Sequence, residues 1–516
     1  MSLITHPGPA RARALAVAVP GAVALALGLW GLDRGTMWRD EAATVMAASR
    51  SLPQLWHLLG TIDAVHGLYY LLMHVLLPAH PGEVPLRLPS VCGAAAAASL
   101  VAATATRLAR PRTGLWAGLL YAVAPFTQYY AQEGRSYALV AAGAAAATLL
   151  CVRAVREPTG RNWAGYAVAV ALTAWLHEFA VLVLPAHAVT LAVSRVPGRV
   201  WRGWAAAAAA AAVSLLPLVL VTHAQSAQVG WIRRPDRADA EALLRTAAGG
   251  HGLLFAATLT LVAVAVSRPP ARTARGGCGL VATALPLALL PPLTLLTLSQ
   301  WHPLYAPRYA FFAFAGVPLL VAAGAEALVA RLPRPAPAAT LPALAGLGLI
   351  AAAFLAQLPL QEQQRSAHAR RDDLGSVARM LTARLRPGDP LLYVPKTGRK
   401  YAAAYPASVA GTRDVSLLAS GARSGTLYGR DVDAAALRAR MACLPRLWVY
   451  FDAEAARPGW HPRTRTDAAK LDVLREDFRP VRQDGRRSGA VRLYERVGGA
   501  APECSAAAGA PGRPRK

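Results

Sequence analysis

ALAVAVPGAVALALGLWGLDRGTMWRDE, residues 14–41, carries an apolar run straight into two adjacent carboxylates, Asp40 and Glu41. Nineteen uncharged residues lie between Arg13 and Asp33. That is enough to cross a bilayer and more than a usual signal-peptide core, so the run reads as an uncleaved first span. The residues after Glu41, up to Ser49, are mostly good helix formers. A carboxylate pair where a span leaves the membrane can cap that helix. It can also take a proton from an acceptor hydroxyl, and the membrane-exit position favours chemistry.

Working outward, the composition agrees with a membrane protein. Of 516 residues, 55% are hydrophobic, far from a soluble domain. The formal charge of +27 is spread over the chain: residues 1–364 hold 26 basic and 13 acidic residues, and residues 365–516 hold 29 and 15. With no basic tract, nucleic acid is not an expected partner.

Apolar runs recur at about 14–32, 88–106, 114–131, 136–152, 163–176, 178–194, 203–222, 252–267, 279–299, 309–330 and 340–359. They predict about eleven transmembrane helices. With the N-terminus inside, the inner segments hold 16 basic residues against Glu157 and Glu326, while the rest of residues 1–364 has 10 basic and 11 acidic. That bias follows the positive-inside rule and predicts a cytoplasmic N-terminus and an extracytoplasmic C-terminal domain in the plasma membrane. Residues 33–87 form an outer loop in which the short apolar stretch 67–78 suits an interfacial helix.

The expected organisation is a membrane domain over 1–362, an extracytoplasmic α/β domain over 363–497, and a disordered tail over 498–516. In the second part, helices are predicted at 365–386 and 434–441, and strands at 391–394, 446–451, near 479–482 and at 490–496. The five cysteines show no metal-like spacing. Cys443 and Cys504 can pair if that domain lies outside the cell.

Polar groups collect on the predicted outer face: Asp40 and Glu41; Asp63, His66 and Tyr69; the turn Gln132-Glu133-Gly134-Arg135-Ser136-Tyr137; His177-Glu178; and Arg308-Tyr309. Each has a plain alternative. Glu133 and Arg135 can be a local ion pair, His177-Glu178 a tight turn, Arg308 a snorkelling anchor, and His66 with Tyr69 part of an aromatic belt. Their accumulation on one face, against inner loops holding little but arginine, points to one outer cavity.

These residues carry a family likeness. Arg39-Asp40-Glu41 after a first span resembles the opening of membrane-embedded, polyprenyl-phosphate-sugar-dependent glycosyltransferases of the GT-C fold. Residues 63–74 and Leu86-Arg87-Leu88-Pro89-Ser90 resemble the family's outer loop and second span. Tyr130 to Tyr137 resembles its third-to-fourth-span turn, and Pro307-Arg308-Tyr309 its late outer motif. The nearest group is the bacterial family-39-like enzymes, related to protein O-mannosyltransferases and the lipid A aminoarabinose transferase.

The resemblance implies inverting transfer of one sugar, with mannose favoured, from a polyprenyl monophosphate to a glycan, lipid or protein acceptor. Asp40 would be the general base. Glu41 would assist it or help hold a divalent cation. His66, Tyr69, Gln132, Glu133, Arg135, Tyr137, His177, Glu178, Arg308 and Tyr309 would bind substrate. The departing lipid phosphate already carries charge and needs cations more than an acid, for which Arg135 and Arg308 are candidates.

The alternative is a multi-span lipid or glycan transporter or flippase. Such proteins usually show repeat symmetry and charges near mid-span; here the charges sit at span ends and the halves do not echo each other. A non-catalytic scaffold would explain an outer domain but not the carboxylates and arginines.

Overall fold

The computed structural model describes residues 9–77, 82–250, 252–269, 277–331, 341–367, 369–370 and 372–498. The predicted tail and Cys504 fall outside them, while Cys443 is disulfide-bonded. The chain forms two compact units. One comprises Met1–Leu32, Asp63–Leu72 and Val84–Arg365; the other comprises Asp33–Ile62, Met73–Glu83 and Ser366–Lys516. The outer loop 33–87 is thus divided between them.

The first unit is helical, as hydrocarbon requires of a backbone that must satisfy its own hydrogen bonds. All eleven apolar runs fall on helical elements. Among the described residues seven helices are long and apolar enough to cross: Ala10–Leu29, Glu83–Leu108, Tyr137–Arg156, Gly198–Ala224, Leu280–Leu298, Pro307–Val329 and Leu341–Gln364. Arg237–Ala247 and Gly252–Ser267, bent by 85°, make an eighth if taken together.

The count differs from eleven for local reasons. The run 114–131 breaks at Pro125, because the preceding Ala124 is driven to extended backbone (ψ 129°) and the proline has no N–H to donate. Gly160–Leu176 has 17 residues, a rise of about 26 Å. The run 178–194 opens on a 3-10 turn, Glu178–Leu182, which leaves a helix of 12 residues, Val183–Ser194.

The second unit is built on a five-stranded mixed sheet. Its strands and those of a small hairpin are β1 (Pro390–Val394), β2 (Arg413–Asp414), β3 (Leu417–Ala419), β4 (Arg430–Asp431), β5 (Arg446–Asp452), β6 (Phe478–Arg486) and β7 (Gly489–Arg496). The sheet order is β2-β1-β5-β7-β6, with β3 and β4 pairing separately. Strands β2, β1 and β5 are parallel, and β7 is antiparallel to both neighbours. Leu447 to Phe451 of the central β5 are all buried, as expected of a strand covered on both faces.

The helix expected over 365–386 is shorter, Leu374–Arg384, because the Asp373 carboxylate caps it by accepting from the Ser376 N–H. A helix not read from the sequence, Arg465–Asp477, follows the cap Thr464, whose hydroxyl accepts from the Asp467 N–H.

Close helix contacts in the first unit use small residues. A Cβ on Gly316 would sit 2.5 Å from the Ala284 carbonyl oxygen, and one on Gly324 would overlap that of Leu261. At one end of the bundle Glu326, 3% exposed, is held by several donors. The Arg112 guanidinium donates to both carboxylate oxygens at 2.8 and 2.7 Å, and the Thr113 hydroxyl at 3.0 Å. This ties the start of the Pro111–Val123 helix to the end of Gly316–Val329. Glu326→Gln leaves Arg112 without a charged partner. It is expected to cost about 3 kcal/mol, read as a lower thermal midpoint of the detergent-solubilised protein. Replacing Arg112 by Met and Glu326 by Leu together should restore most of the loss.

Candidate functional site

In the first unit, four segments distant in sequence converge. The earliest opens at Asp63, which has left-handed backbone (φ 61°), costly for a residue with a side chain. Three interactions hold it. Its N–H donates to the Gln228 Oε1 at 3.0 Å, the Ala64 N–H donates to the Gln225 Oε1 at 3.0 Å, and the Tyr70 hydroxyl donates to the Asp63 Oδ2 at 2.9 Å. The chain then turns through Ala64–His66 into the Gly67–Leu76 helix.

The second segment is the 132–137 turn. Arg135, 4% exposed, donates from Nη1 to the Tyr70 hydroxyl at 3.2 Å, completing a line from Asp63 through Tyr70 to a guanidinium. The turn is pinned elsewhere as well. The Ser90 hydroxyl donates to the Arg135 carbonyl at 2.9 Å. A side chain on Gly134 would sit 2.5 Å from Leu86 Cγ, so the turn needs glycine there. Gln132 is used structurally, its amide donating to the Gly28 and Trp30 carbonyls at 2.9 and 2.8 Å. Glu133 is buried in the same turn.

The third and fourth segments bring His177 and Arg308-Tyr309. The His177 ring lies 5.8 Å from that of His66, 5.9 Å from Tyr137 and 4.7 Å from Tyr309. The Arg308 guanidinium rests over the rings of Tyr309 and Trp231, 5.2 and 5.3 Å from their centroids. Burial first, then the positive field of Arg135 and Arg308, hold the His66 imidazole well below its ordinary pKa, so it is neutral. Tyr69 is fully buried with its ring 6.4 Å from Tyr70. Glu178 points to the Gly198–Ala224 helix, accepting from the Thr222 hydroxyl at 2.8 Å. The result is two guanidiniums, two imidazoles and several tyrosines around one partly buried locus, an arrangement suited to an anion.

Asp40 and Glu41 lie in the second unit, on the Arg39–Ala48 helix. Glu41 is fully buried and its Oε2 accepts from the Trp38 N–H at 3.4 Å, so it caps its own helix. The residues leading to Asp40 are fastened one after another. The Thr36 hydroxyl donates to Asp373 at 2.8 Å. The Met37 N–H donates to the Tyr405 hydroxyl at 2.9 Å, and the Met37 carbonyl accepts from the Leu374 N–H at 3.1 Å. Arg39 grips Asp372 with Nε and Nη2 at 2.6 and 2.9 Å. Burial would raise the Asp372 carboxyl, but the Arg39 guanidinium, helped by Lys400, holds it below the usual carboxylate range. Asp40 itself is half-buried, in the first turn of a helix whose start is fixed on three sides.

Sequence reading missed Asp372, Asp373, Tyr405, Gln228 and Trp231 as members of these arrangements. The sole local signal was the acidic pair at 372–373 after the last apolar run. Among the described residues no group of three or more His, Cys, Asp or Glu side chains is placed to hold a metal ion.

Residues 64–223 match the family described as dolichyl-phosphate-mannose-protein mannosyltransferase. No curated protein matches the sequence. Among solved structures, ArnT from Cupriavidus metallidurans in the apo state superposes with a TM-score of 0.55 at 13% identity. The match covers 92% of this chain and 97% of that one. The same enzyme bound to undecaprenyl phosphate gives 0.53 at 15% identity with the same coverage. The mycobacterial arabinofuranosyltransferase AftD gives 0.50 at 18%, over 93% of this chain and 39% of that one. Identities this low speak to fold. The chain is a multi-pass membrane protein that shares the GT-C fold of ArnT, and its residues 64–223 match the mannosyltransferase family model.

Proposed function

We propose that this protein is a glycosyltransferase that moves one sugar from a polyprenyl monophosphate carrier to an acceptor hydroxyl at the outer face of the plasma membrane, with inversion. The observation that carries the reading is the convergence of the partly exposed Arg308 and Tyr309 with the buried Arg135, His66 and His177 in the membrane unit. A lipid phosphate is the anion that a membrane-embedded cluster of cations would meet. ArnT, which shares the fold, has been solved with undecaprenyl phosphate. Mannose is the favoured sugar because the matching family is named for it. The disulfide at Cys443 and the charge bias of the loops support an outer location for the second unit. No observation favours a transporter: the cluster sits at element ends, and the fold is that of glycosyltransferases.

In the proposed reaction the Asp40 carboxylate accepts the proton of the acceptor hydroxyl. The oxygen attacks the anomeric carbon from the side opposite the phosphate. The bond from that carbon to the phosphate oxygen breaks, and its electron pair leaves with the phosphate. Arg135 and Arg308 stabilise the charge that gathers on the departing group. Tyr70, anchored by Asp63, keeps Arg135 aimed.

Asp40→Asn keeps the shape and removes the base. We expect kcat to fall by roughly 10²- to 10⁴-fold while expression and membrane insertion stay normal, measured in vesicles given radiolabelled polyprenyl-phosphate sugar. Wild-type turnover by that variant removes Asp40 as base. Arg308→Ala should raise the donor KM by roughly ten- to a hundredfold, the loss of one charge-assisted contact, with little change in acceptor KM. An unchanged donor KM excludes a phosphate role.

A further inference from the structure

We infer that a cavity in the second unit is a docking subsite for a saccharide, the acceptor glycan of the transfer proposed above, on which this assignment rests. The cavity measures about 440 Å³, within the range of small-molecule sites. One wall is Met46, Ser49 and Arg50, at the end of the helix that starts with Arg39 and Asp40. The other walls come from Tyr393 at β1, the short helix Lys400–Ala404, and the chain between Val409 and Tyr428.

These walls are held rigidly. The buried Arg399 donates to both oxygens of Asp414 at 2.6 and 3.2 Å, to the Tyr428 carbonyl at 3.1 Å and to the Ser416 hydroxyl at 3.0 Å. It also pairs with Asp431 at 2.6 Å. Arg50, 4% exposed, donates to the Met46 carbonyl at 3.1 Å and the Thr426 carbonyl at 2.6 Å, fastening the helix end to the opposite loop. That loop turns at Gly425, whose left-handed backbone (φ 64°) and packing against the His57 ring leave no room for a side chain. The Thr61 hydroxyl donates to its carbonyl.

The chemistry on offer follows. The wall guanidiniums are engaged with carboxylates or backbone carbonyls, so the cavity presents rings and hydroxyls more than free charge. Ser49, Thr412 and Ser420 line it, and a hydroxyl that has made one bond keeps capacity for another. Tyr428, partly exposed, adds a ring with a polar end. An apolar ring face beside several hydroxyls matches a sugar, whose C–H face and O–H rim make the same two demands.

The placement gives this subsite a purpose. Asp40 and Met46 are six residues apart on one helix, a rise of about 9 Å. A single rigid element therefore carries the candidate base at its start and a cavity wall at its end.

The test uses the full-length protein in lipid nanodiscs and saturation-transfer NMR with three probes: the methyl glycosides of mannopyranose, arabinofuranose and N-acetylglucosamine. At least one should receive saturation from the wild type. Ala403→Trp, which fills the cavity from a partly exposed position, should reduce the signal at least tenfold. Thr412→Val, which adds no bulk, should weaken it severalfold. Absence of saturation with all three probes overturns the assignment, as does a signal that survives Ala403→Trp. Asp40→Asn separates this inference from the catalytic one. Binding retained with transfer lost supports both; binding retained with transfer at the wild-type rate removes the base and leaves the subsite standing.

Discussion

Burying a guanidinium away from water is so costly that the protein must build a place for it, and in the membrane unit that place is the line Asp63–Tyr70–Arg135. Tyr70 receives a hydrogen bond from Arg135 and passes one to Asp63. Asp63 in turn is held in left-handed backbone by two glutamine side chains from beyond residue 224. The strained residue, the tyrosine and the arginine explain one another: without the charge there would be little reason to maintain the strain. Burial first, and Arg135 beside it second, keep His66 neutral.

The second unit solves a different problem, which is how to hold a short helix on a long loop. Its answer is a series of contacts between residues 36–39 and the region 372–405, made from hydroxyl, backbone and ion-pair interactions in turn. The Arg39–Ala48 helix is too short to persist by propensity alone. Its position comes from these contacts, and from Arg50 at its far end. Arg50, which fastens the far end of this helix, also holds one wall of the cavity, so the candidate base and the proposed acceptor subsite share one helix.

Much of this was legible before any coordinates. Apolar runs of about 20 residues can be read because the bilayer imposes that length, and each expected run fell on helix. His66, Arg135, Tyr137, His177, Arg308 and Tyr309 were readable as a group because polar residues at span ends are expensive and therefore stand out. The Arg465–Asp477 helix was also within reach, since Thr464 with Asp467 is a capping pattern and Ala469, Val473 and Leu474 share a buried face. Its heavy charge hid it. The helix expected from 365 began nine residues late, because Asp373 caps at a point that apolar periodicity does not mark.

By itself the sequence determined the membrane class, the charge bias of the loops, most of the helices and the longer strands and the identity of the polar groups, all properties set by near neighbours and by solvent. Tertiary structure decided what those groups do. It turned Gln132 into a clasp for the first helix, and it gave Arg39 to Asp372 across 333 positions. The reason is physical: a helix or strand is chosen over a few residues, whereas a buried charge is satisfied by whichever partner the folded chain brings within about 3 Å.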